Sequence, residues 1–190
     1  MYLKKLFEEN DCKIAVASIS NNMSEIQNLA NLKGIINIKS QKRKAEKITI
    51  RLLLNQLMPG SLLSYNNYGA PIIEGKEISI SHSNDLAAIV ISNKKVGIDI
   101  EKISTRLQNT SSKFTYKYKN ISVEEATLIW CAKEAIFKWY SKGNINFRKD
   151  IVISPFKVQE NGMLNANFKN FQYTLHYMKL YKHFLVYVCN

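Results

Sequence analysis

Two acidic residues stand two positions apart in the segment GIDIE, as Asp99 and Glu101. The β-branched residues around them predict a strand, and since strand side chains alternate between faces, both carboxylates project to one face while Ile98 and Ile100 point into the core. Two adjacent carboxylates repel, and a hard cation such as Mg²⁺ relieves that repulsion while leaving positions for phosphate oxygens and water. The alternative is a strand end with solvated acids, which is usual for an isolated pair, so a metal site needs a third ligand.

Glu134, in the segment WCAKEAIFKWY, is the candidate for that third ligand. Ser122 and Glu125 form a capping box that predicts the start of a helix, and apolar residues continue at helical spacing to a stop at Gly143. Glu134 and Lys138 are therefore neighbours on one helix face. The alternative is an ordinary surface ion pair worth ~0.3 kcal/mol. The many aromatic residues of the segment favour a glutamate that faces an interior cleft.

Two other groups of residues are suited to binding anions. His82 and Ser81, in ISHSND, close a predicted strand, where an imidazole and a hydroxyl can contact an anion; a structural histidine is the commoner alternative. Arg43, Lys47 and Arg51 recur at every fourth position of a predicted helix and form a basic stripe. That stripe is either a phosphate-recognition surface or a solvated helix face.

The elements that must position these groups form an α+β mixture. Each half of the chain contains a long helix and an antiparallel set of strands, which is compatible with two similar subdomains that meet face to face. The predicted elements besides the second helix are a helix over residues 41–58, a loop over 64–71, a β-hairpin over 77–101 turning at Asn93 and Lys94, and two closing strands over 167–189.

Length and composition set the broad class of the protein. With 190 residues, 46% of them hydrophobic, the chain can bury a real core, which excludes intrinsic disorder, collagen and small disulfide scaffolds. The net charge of +12 favours an anionic partner. The three cysteines fit no zinc or redox spacing and are expected to be reduced thiols. With neither a signal peptide nor a membrane-spanning apolar run, a cytoplasmic protein without a membrane partner is predicted.

Read in order, three segments resemble the motifs of the 4′-phosphopantetheinyl transferases, particularly the longer Sfp-type enzymes. They are ISHS over residues 80–83, GIDIE over 97–101 and WCAKEAIFK over 130–138. Each fragment is weak alone, whereas their order and spacing together are specific. Looser similarity extends over residues 42–54, 68–71 and 147–156.

The resemblance implies an α+β fold of two similar subdomains in a pseudo-twofold arrangement, with the active site between them. Residues 1–98 would form the subdomain on the coenzyme A side, and residues 99–190 the subdomain with the metal and the catalytic helix. The implied reaction moves the phosphopantetheine arm of coenzyme A to a serine hydroxyl of an acyl or peptidyl carrier protein and releases 3′,5′-ADP. Because both halves lie in one chain, a monomer is expected, with no nucleic-acid partner.

The resemblance also implies roles for the residues discussed above. Mg²⁺ on the pyrophosphate of coenzyme A would be held by Asp99, Glu101 and Glu134, and Lys138 would neutralise the pyrophosphate oxygens. Glu134 and Lys138 would be the catalytic residues, since this reaction needs alignment and charge neutralisation more than a covalent nucleophile.

The coenzyme A phosphates would contact Ser81 and His82, and the 3′-phosphate would contact Arg43. Family members often carry a lysine in a YGKP-like loop where this chain has Ala70, so one phosphate contact is missing or supplied by another residue. Carrier proteins of this kind are generally acidic, which agrees with the net charge of +12.

Two other classes of protein agree with parts of the sequence. A metal-dependent nuclease also combines acids, a lysine and a basic surface, although nucleases usually place the glutamate and lysine on a strand. A non-catalytic nucleic-acid-binding protein agrees with the charge and with the ten tyrosines. Its aromatic residues, however, alternate like core strands and match no RNA-binding motif.

Overall fold

A computed structural model describes residues 2–9, 11–19, 38–116 and 120–190 of the chain. A short 3₁₀ turn over Ser111–Lys113 accompanies the regular elements. These elements are, in chain order, β1 (Tyr2–Glu9), β2 (Cys12–Ser18), α1 (Gln41–Leu57), β3 (Ser64–Tyr65), β4 (Pro71–Ile72), β5 (Glu77–Ser83), β6 (Leu86–Ser92), β7 (Val96–Lys102), α2 (Thr105–Asn109), α3 (Val123–Tyr140), β8 (Ile151–Ile153), β9 (Asn161–Phe168), β10 (Phe171–Leu180) and β11 (His183–Cys189).

Two antiparallel sheets pack face to face between two helices. The first has the strand order β1-β2-β6-β5 and the second β7-β11-β10-β9-β8, while β3 and β4 form a separate two-stranded ladder. The alternation of apolar side chains explains the layers, because Ile89 of β6 packs with α1 whereas Val90 packs with the second sheet. On the other side, Val186 of β11 faces α3. The predicted mixture of helices and antiparallel strands is confirmed.

The two sheets share a connectivity. In the first, β2 is followed by α1, β5 and β6, and β6 lies between β2 and β5. In the second, β7 is followed by α3 and, after β8 and β9, by β10 and β11, and β11 lies between β7 and β10. All of these pairs are antiparallel. The last strand of each set is therefore buried in the middle of its sheet, and β5 and β7 are left as edge strands.

The two long helices begin where the sequence predicts. Ser40 caps α1, and the reciprocal capping box of Ser122 and Glu125 is present at α3. The predicted stop of α3 at Gly143 is wrong by two residues, because Ser141 already adopts the left-handed conformation (φ 56°) that ends the helix. The prediction of two closing strands agrees with β10 and β11.

The predicted hairpin turning at Asn93 and Lys94 is wrong. Residues 77–101 contain three strands, and the hairpin is formed by β5 and β6 with its turn at Asn84 and Asp85. Strand β6 already pairs with β2 and β5 on its two edges, so β7 cannot join it and pairs with β11 instead. The turn at Asn93 therefore carries the chain from one sheet to the other. The predicted loop over 64–71 also contains β3 and the start of β4.

Gly97 allows α3 to lie directly against β7. A Cβ atom at this position would stand 2.1 Å from the carbonyl oxygen of Ala135 and 2.7 Å from the amide nitrogen of Trp139, both backbone atoms of α3. No side chain larger than hydrogen fits such a contact. The glycine therefore sets the distance between the strand that carries Asp99 and the helix that carries Glu134.

All three cysteines are free thiols. Within the described ranges, no helix has both the length and the apolar character needed to cross a membrane.

Candidate active site

A cleft with a volume of about 780 Å³ opens between α1, β5, β7 and α3. Residues from both halves of the chain line it, including the loop that connects β3 and β4. The residues to which the resemblance assigns roles all lie on its wall, namely Arg43, Ser81, His82, Asp99, Glu101, Glu134 and Lys138.

Serine hydroxyls join the two sheets beside this cleft, and one of them, that of Ser81, belongs to its lining. Alternate residues of β5 are serines, and each serine oxygen accepts a backbone N–H of β7. These bonds link Ser79 with Ile98 (3.1 Å), Ser81 with Ile100 (3.2 Å) and Ser83 with Lys102 (3.1 Å). Because residue numbers increase together along both strands, β5 and β7 run in the same direction across this junction.

Two of these serines also hold the carboxylates of β7. The Ser81 hydroxyl donates to Asp99 Oδ1 at 2.7 Å, and the Ser83 hydroxyl donates to Glu101 Oε2 at 2.8 Å. A hydroxyl has a single proton, so in this conformation Ser81 donates to Asp99 and not to a ligand. A phosphate could accept that proton only by taking the place of Asp99.

Asp99 is the most enclosed acid of the cleft, with 3% of its surface exposed. Its Oδ1 atom also accepts a hydrogen bond from Lys138 Nζ at 2.7 Å. Its Oδ2 atom is buried and has no hydrogen-bond partner within the described parts of the chain. The fully buried Cys131 thiol is a further neighbour of Asp99, because burial, the charge of Asp99 and a side-chain hydrogen bond with Asp99 raise the pKa of that thiol.

Glu134 shares the cleft with the two acids of β7. Burial, followed by the charges of Asp99 and Glu101, raises the pKa of Glu134 to about 7 against the partial opposition of the Lys138 ammonium. Burial and the charge of Asp99 also raise the pKa of Glu101. Three carboxyl groups thus repel one another in one cleft, and a single nearby lysine does not compensate for that repulsion.

These acids form an oxygen-only donor set, which fits Mg²⁺ and other hard divalent cations better than zinc. Burial and the neighbouring acids raise the pKa values of both glutamates, so a cation would relieve an electrostatic repulsion that the protein carries without it. Over the described residues, no group of three histidine, cysteine or acidic side chains forms an assembled metal site. The three acids are of the right chemical type to bind a cation. Their side chains are not, however, arranged as a metal site.

The opposite wall of the cleft is basic. Arg43 and Lys47, one helical turn apart on α1, both line it. His82 lies beside them, and its Nδ1 atom is 3.6 Å from Oε1 of the buried Glu46. Arg51, the third member of the predicted stripe, instead donates to the carbonyl oxygen of Leu63 at 2.9 Å. The stripe therefore divides into two cleft residues and one structural residue.

The loop between β3 and β4 forms the rim of the cleft. Asn66 Oδ1 accepts the backbone N–H groups of both Tyr68 and Ala70 at 2.9 Å, and Gly69 adopts a positive φ of 77°. Gly69 and Pro71 line the cleft. The loop thus contributes a fixed backbone wall, and Ala70 adds no charge to it.

Glu46 and Trp130 line the cleft but were not assigned a role from the sequence. Glu46 stands three residues after Arg43 and four before the buried Ile50, a helical spacing that could have placed it on the cleft face. Trp130 donates from Nε1 to Glu101 Oε1 at 3.3 Å, and its ring stacks on Phe147. The aromatic character of its segment was visible, but its hydrogen-bond partner was not.

Lys133, next to Glu134, has a structural role. Only 2% of its surface is exposed, and its Nζ atom donates to the carbonyl oxygens of Phe147 and Ile151. Burial lowers its pKa to about 8. Lys133 therefore fastens α3 to the segment that leads into β8, on the side of the helix away from the cleft.

A cleft that sets paired acids and a lysine against a basic wall is typical of proteins that act on phosphate esters. The family model of the 4′-phosphopantetheinyl transferase superfamily matches residues 95–189, which is half of the chain. The chain belongs to this superfamily. The matched region contains Asp99, Glu101, Glu134 and Lys138.

A curated relative supports the same family. The 4′-phosphopantetheinyl transferase gsp of Aneurinibacillus migulanus is 29% identical to this chain over 140 residues. The alignment covers 66% of this chain and 59% of the relative, so the chain spans well under two thirds of that protein's length.

Proposed function

We propose that this protein transfers the 4′-phosphopantetheine moiety of coenzyme A to a serine of an acyl or peptidyl carrier protein and releases 3′,5′-ADP. The observation that carries the proposal is the meeting of Glu134 and Lys138 of α3 with Asp99 and Glu101 of β7 in one cleft. Membership of the superfamily and the similarity to a named transferase support it.

Coenzyme A is a polyanion, and the charges of the cleft suggest its orientation. Arg43, Lys47 and His82 would bind the 3′-phosphate and neighbouring phosphate oxygens, while Lys138 would neutralise the pyrophosphate. Beyond Lys138 lies a second cavity of about 410 Å³ whose apolar lining includes Ile78 and Phe137. The pantetheine arm would extend in that direction, away from the basic wall.

The reaction needs one nucleophilic displacement. The serine oxygen of the carrier attacks the β-phosphorus of coenzyme A, the bond from that phosphorus to the bridging oxygen breaks, and 3′,5′-ADP leaves with the bridging oxygen. The serine proton passes to the Glu134 carboxylate, directly or through a water. Burial and the neighbouring acids make Glu134 of the metal-free protein a stronger base than an ordinary glutamate, and general-base help of this kind typically amounts to ~10²- to 10⁴-fold in rate.

Asp99, Glu101 and Glu134 would together hold Mg²⁺. The bound cation would supply charge neutralisation to the pyrophosphate oxygens. Lys138 adds a positive charge from the protein itself and, through its bond to Asp99, orients that carboxylate.

We further propose that residues 1–98 and 99–190 form two similar subdomains related by a pseudo-twofold axis. The shared connectivity of β2, α1, β5 and β6 with β7, α3, β10 and β11 supports this relation. Strand β7 covers Val96–Lys102, so the division between residues 98 and 99 falls within this strand. Since one chain supplies both walls of the cleft, the protein would act as a monomer. The location that we propose for it is the cytoplasm.

The carrier partner would be acidic. The net charge of +12 favours association with a negatively charged protein by long-range attraction. The two other classes considered from the sequence, a nuclease and a nucleic-acid-binding protein, have no support from the family or from the relative.

The experiment is incubation of the protein with coenzyme A, Mg²⁺ and several apo carrier proteins, followed by mass spectrometry of the carrier. One phosphopantetheinyl group is expected on the carrier serine. Asp99→Ala and Glu134→Gln should abolish the gain in mass, and a carrier whose serine is replaced by alanine is the matched control. No gain with any carrier, from protein that is folded, would contradict the proposal.

A further inference from the structure

Ser81 and Ser83 occupy a special place in the serine junction. Each hydroxyl takes part in two hydrogen bonds at once, because its oxygen accepts a backbone N–H of β7 and its proton goes to a carboxylate of β7. The junction bond limits where the oxygen can lie, and the single proton then has one anionic partner within reach. The backbone contact between the sheets therefore also fixes the rotamers of Asp99 and Glu101.

Ser79 shows what the junction does without this second role. Its oxygen accepts the N–H of Ile98 at 3.1 Å, as its two counterparts accept those of Ile100 and Lys102. The β7 residue that corresponds to Asp99 and Glu101 in this pair is Gly97, which has no side chain to hold. The three serines thus share one structural contact, but two of them also bind an acid.

We infer that Ser81 and Ser83 are positioning residues for the metal-binding carboxylates, which they orient through the bonds that join the two sheets. The inference rests on the proposed function, because the proposed function is what makes Asp99 and Glu101 metal ligands. Ser81 holds Asp99 through Oδ1, the same atom that accepts the hydrogen bond from Lys138. By holding Glu101 through Oε2, Ser83 shares this carboxylate with Trp130. Neither serine needs to contact coenzyme A for this role.

A Mn²⁺-binding measurement tests the inference. Free Mn²⁺ is counted by electron paramagnetic resonance at saturating coenzyme A, with coenzyme A alone as the blank. Outer hydrogen-bond partners of metal ligands typically contribute about 10- to 100-fold to metal affinity, so Ser81→Ala and Ser83→Ala should each weaken Mn²⁺ binding by about that factor. Ser83→Thr keeps the hydroxyl and should therefore bind Mn²⁺ about as tightly as the wild type does.

Ser79→Ala is the matched control. All three alanine variants lose one junction bond, and Ser81→Ala and Ser83→Ala also lose a bond to a carboxylate, so the melting temperatures of these two should fall at least as far as that of Ser79→Ala. Only Ser81→Ala and Ser83→Ala should lose Mn²⁺ affinity. In turnover assays the Ser83→Ala variant should show a raised apparent KM for Mg²⁺ and recover most of its kcat at saturating Mg²⁺, because the ligand itself is still present.

The outcomes separate this inference from the proposed function. If the wild-type protein binds no Mn²⁺ with coenzyme A, the metal site of the proposed function is wrong, and the inference fails with it. If the wild type binds Mn²⁺ and Ser83→Ala binds it equally well, the inference alone is wrong. If Ser79→Ala weakens binding as much as Ser83→Ala, the serines act only by joining the sheets.

Discussion

Lys138 Nζ lies 2.7 Å from Asp99 Oδ1, and the bond joins α3 to β7, the edge strand of the second sheet. The aspartate side chain is 4% exposed and the lysine side chain 26%, so water screens the pair poorly on the aspartate side. An acid this enclosed needs its partner, because breaking one side of a buried pair leaves an uncompensated charge.

Lys138→Met is therefore expected to destabilise the protein by about 2 kcal/mol, less than the cost for a fully buried pair because the lysine is partly exposed. Urea denaturation measures the effect. The double variant Lys138→Met with Asp99→Asn should recover much of the stability, since no lone charge remains, while staying inactive. Equal stabilities of the wild type and Lys138→Met would show that Asp99 does not depend on this bond.

Gly97→Ala tests the close contact between β7 and α3. A methyl group there meets backbone atoms at 2.1 and 2.7 Å, so the helix must move away from the strand. Such overpacking typically costs about 1–3 kcal/mol. Activity should fall by more than the loss of folded protein explains, because Glu134 lies next to Ala135, one of the contacted residues, and moves with it.

Gly162→Ala is the control for that variant. The nearest atoms to a methyl group at Gly162 belong to the side-chain ring of Tyr177, at 3.1 Å and beyond, and no backbone atom of α3 is among them. A modest loss of stability with normal turnover is expected. If the Gly97→Ala variant had a normal kcat per folded molecule, the spacing between β7 and α3 would not matter for the reaction.

The sequence predicted the residues of the cleft better than it predicted the sheets. Asp99 and Glu101 alternate with buried isoleucines, and Glu134 and Lys138 share a helix face, so local periodicity was sufficient to place them. The site that these pairs form requires α3 to lie on β7. That packing depends on Gly97, and nothing in its own segment marks it as a contact point.

The error at Asn93 has a physical cause. Two alternating runs around a polar dipeptide favour a hairpin locally, but β6 is occupied on both edges by β2 and β5, and this pairing depends on strands far apart in sequence. The serines of β5 show the same limit. Their alternation was readable as a strand face, whereas their hydrogen bonds to β7 depend on how the two sheets meet.

Arg43 and Arg51 provide a matched pair on α1. Arg43 lines the cleft, whereas the guanidinium of Arg51 donates to the Leu63 carbonyl. Arg43→Ala should raise the KM for coenzyme A by about 10-fold or more, as expected for the loss of a charge-assisted bond to phosphate. Arg51→Ala should lower the melting temperature and leave the KM unchanged. Equal KM values for both variants would remove Arg43 from the phosphate site.

The raised pKa of Glu134 gives a pH dependence whose sign is fixed. Between its ordinary pKa of 4.5 and about 7, the folded metal-free protein holds the proton more tightly than the unfolded chain does. The contribution of this group to stability is therefore full below pH 4.5 and is lost as the pH rises to about 7. Glu134→Gln stays neutral, so its stability relative to the wild type should increase from pH 5 to pH 8, by at most about 3 kcal/mol.

Glu124→Gln is the control on the same helix, because Glu124 is a partly exposed residue outside the cleft, paired with Lys179 at 2.9 Å. Its stability difference from the wild type should stay level over the same pH range. Mg²⁺ with coenzyme A should then raise the melting temperature of the wild type more at pH 8 than at pH 5.5, because the cation competes with the proton for Glu134. A pH-independent difference between Glu134→Gln and the wild type would mean that Glu134 is already ionised at pH 5 and is not buried among the other acids of the cleft.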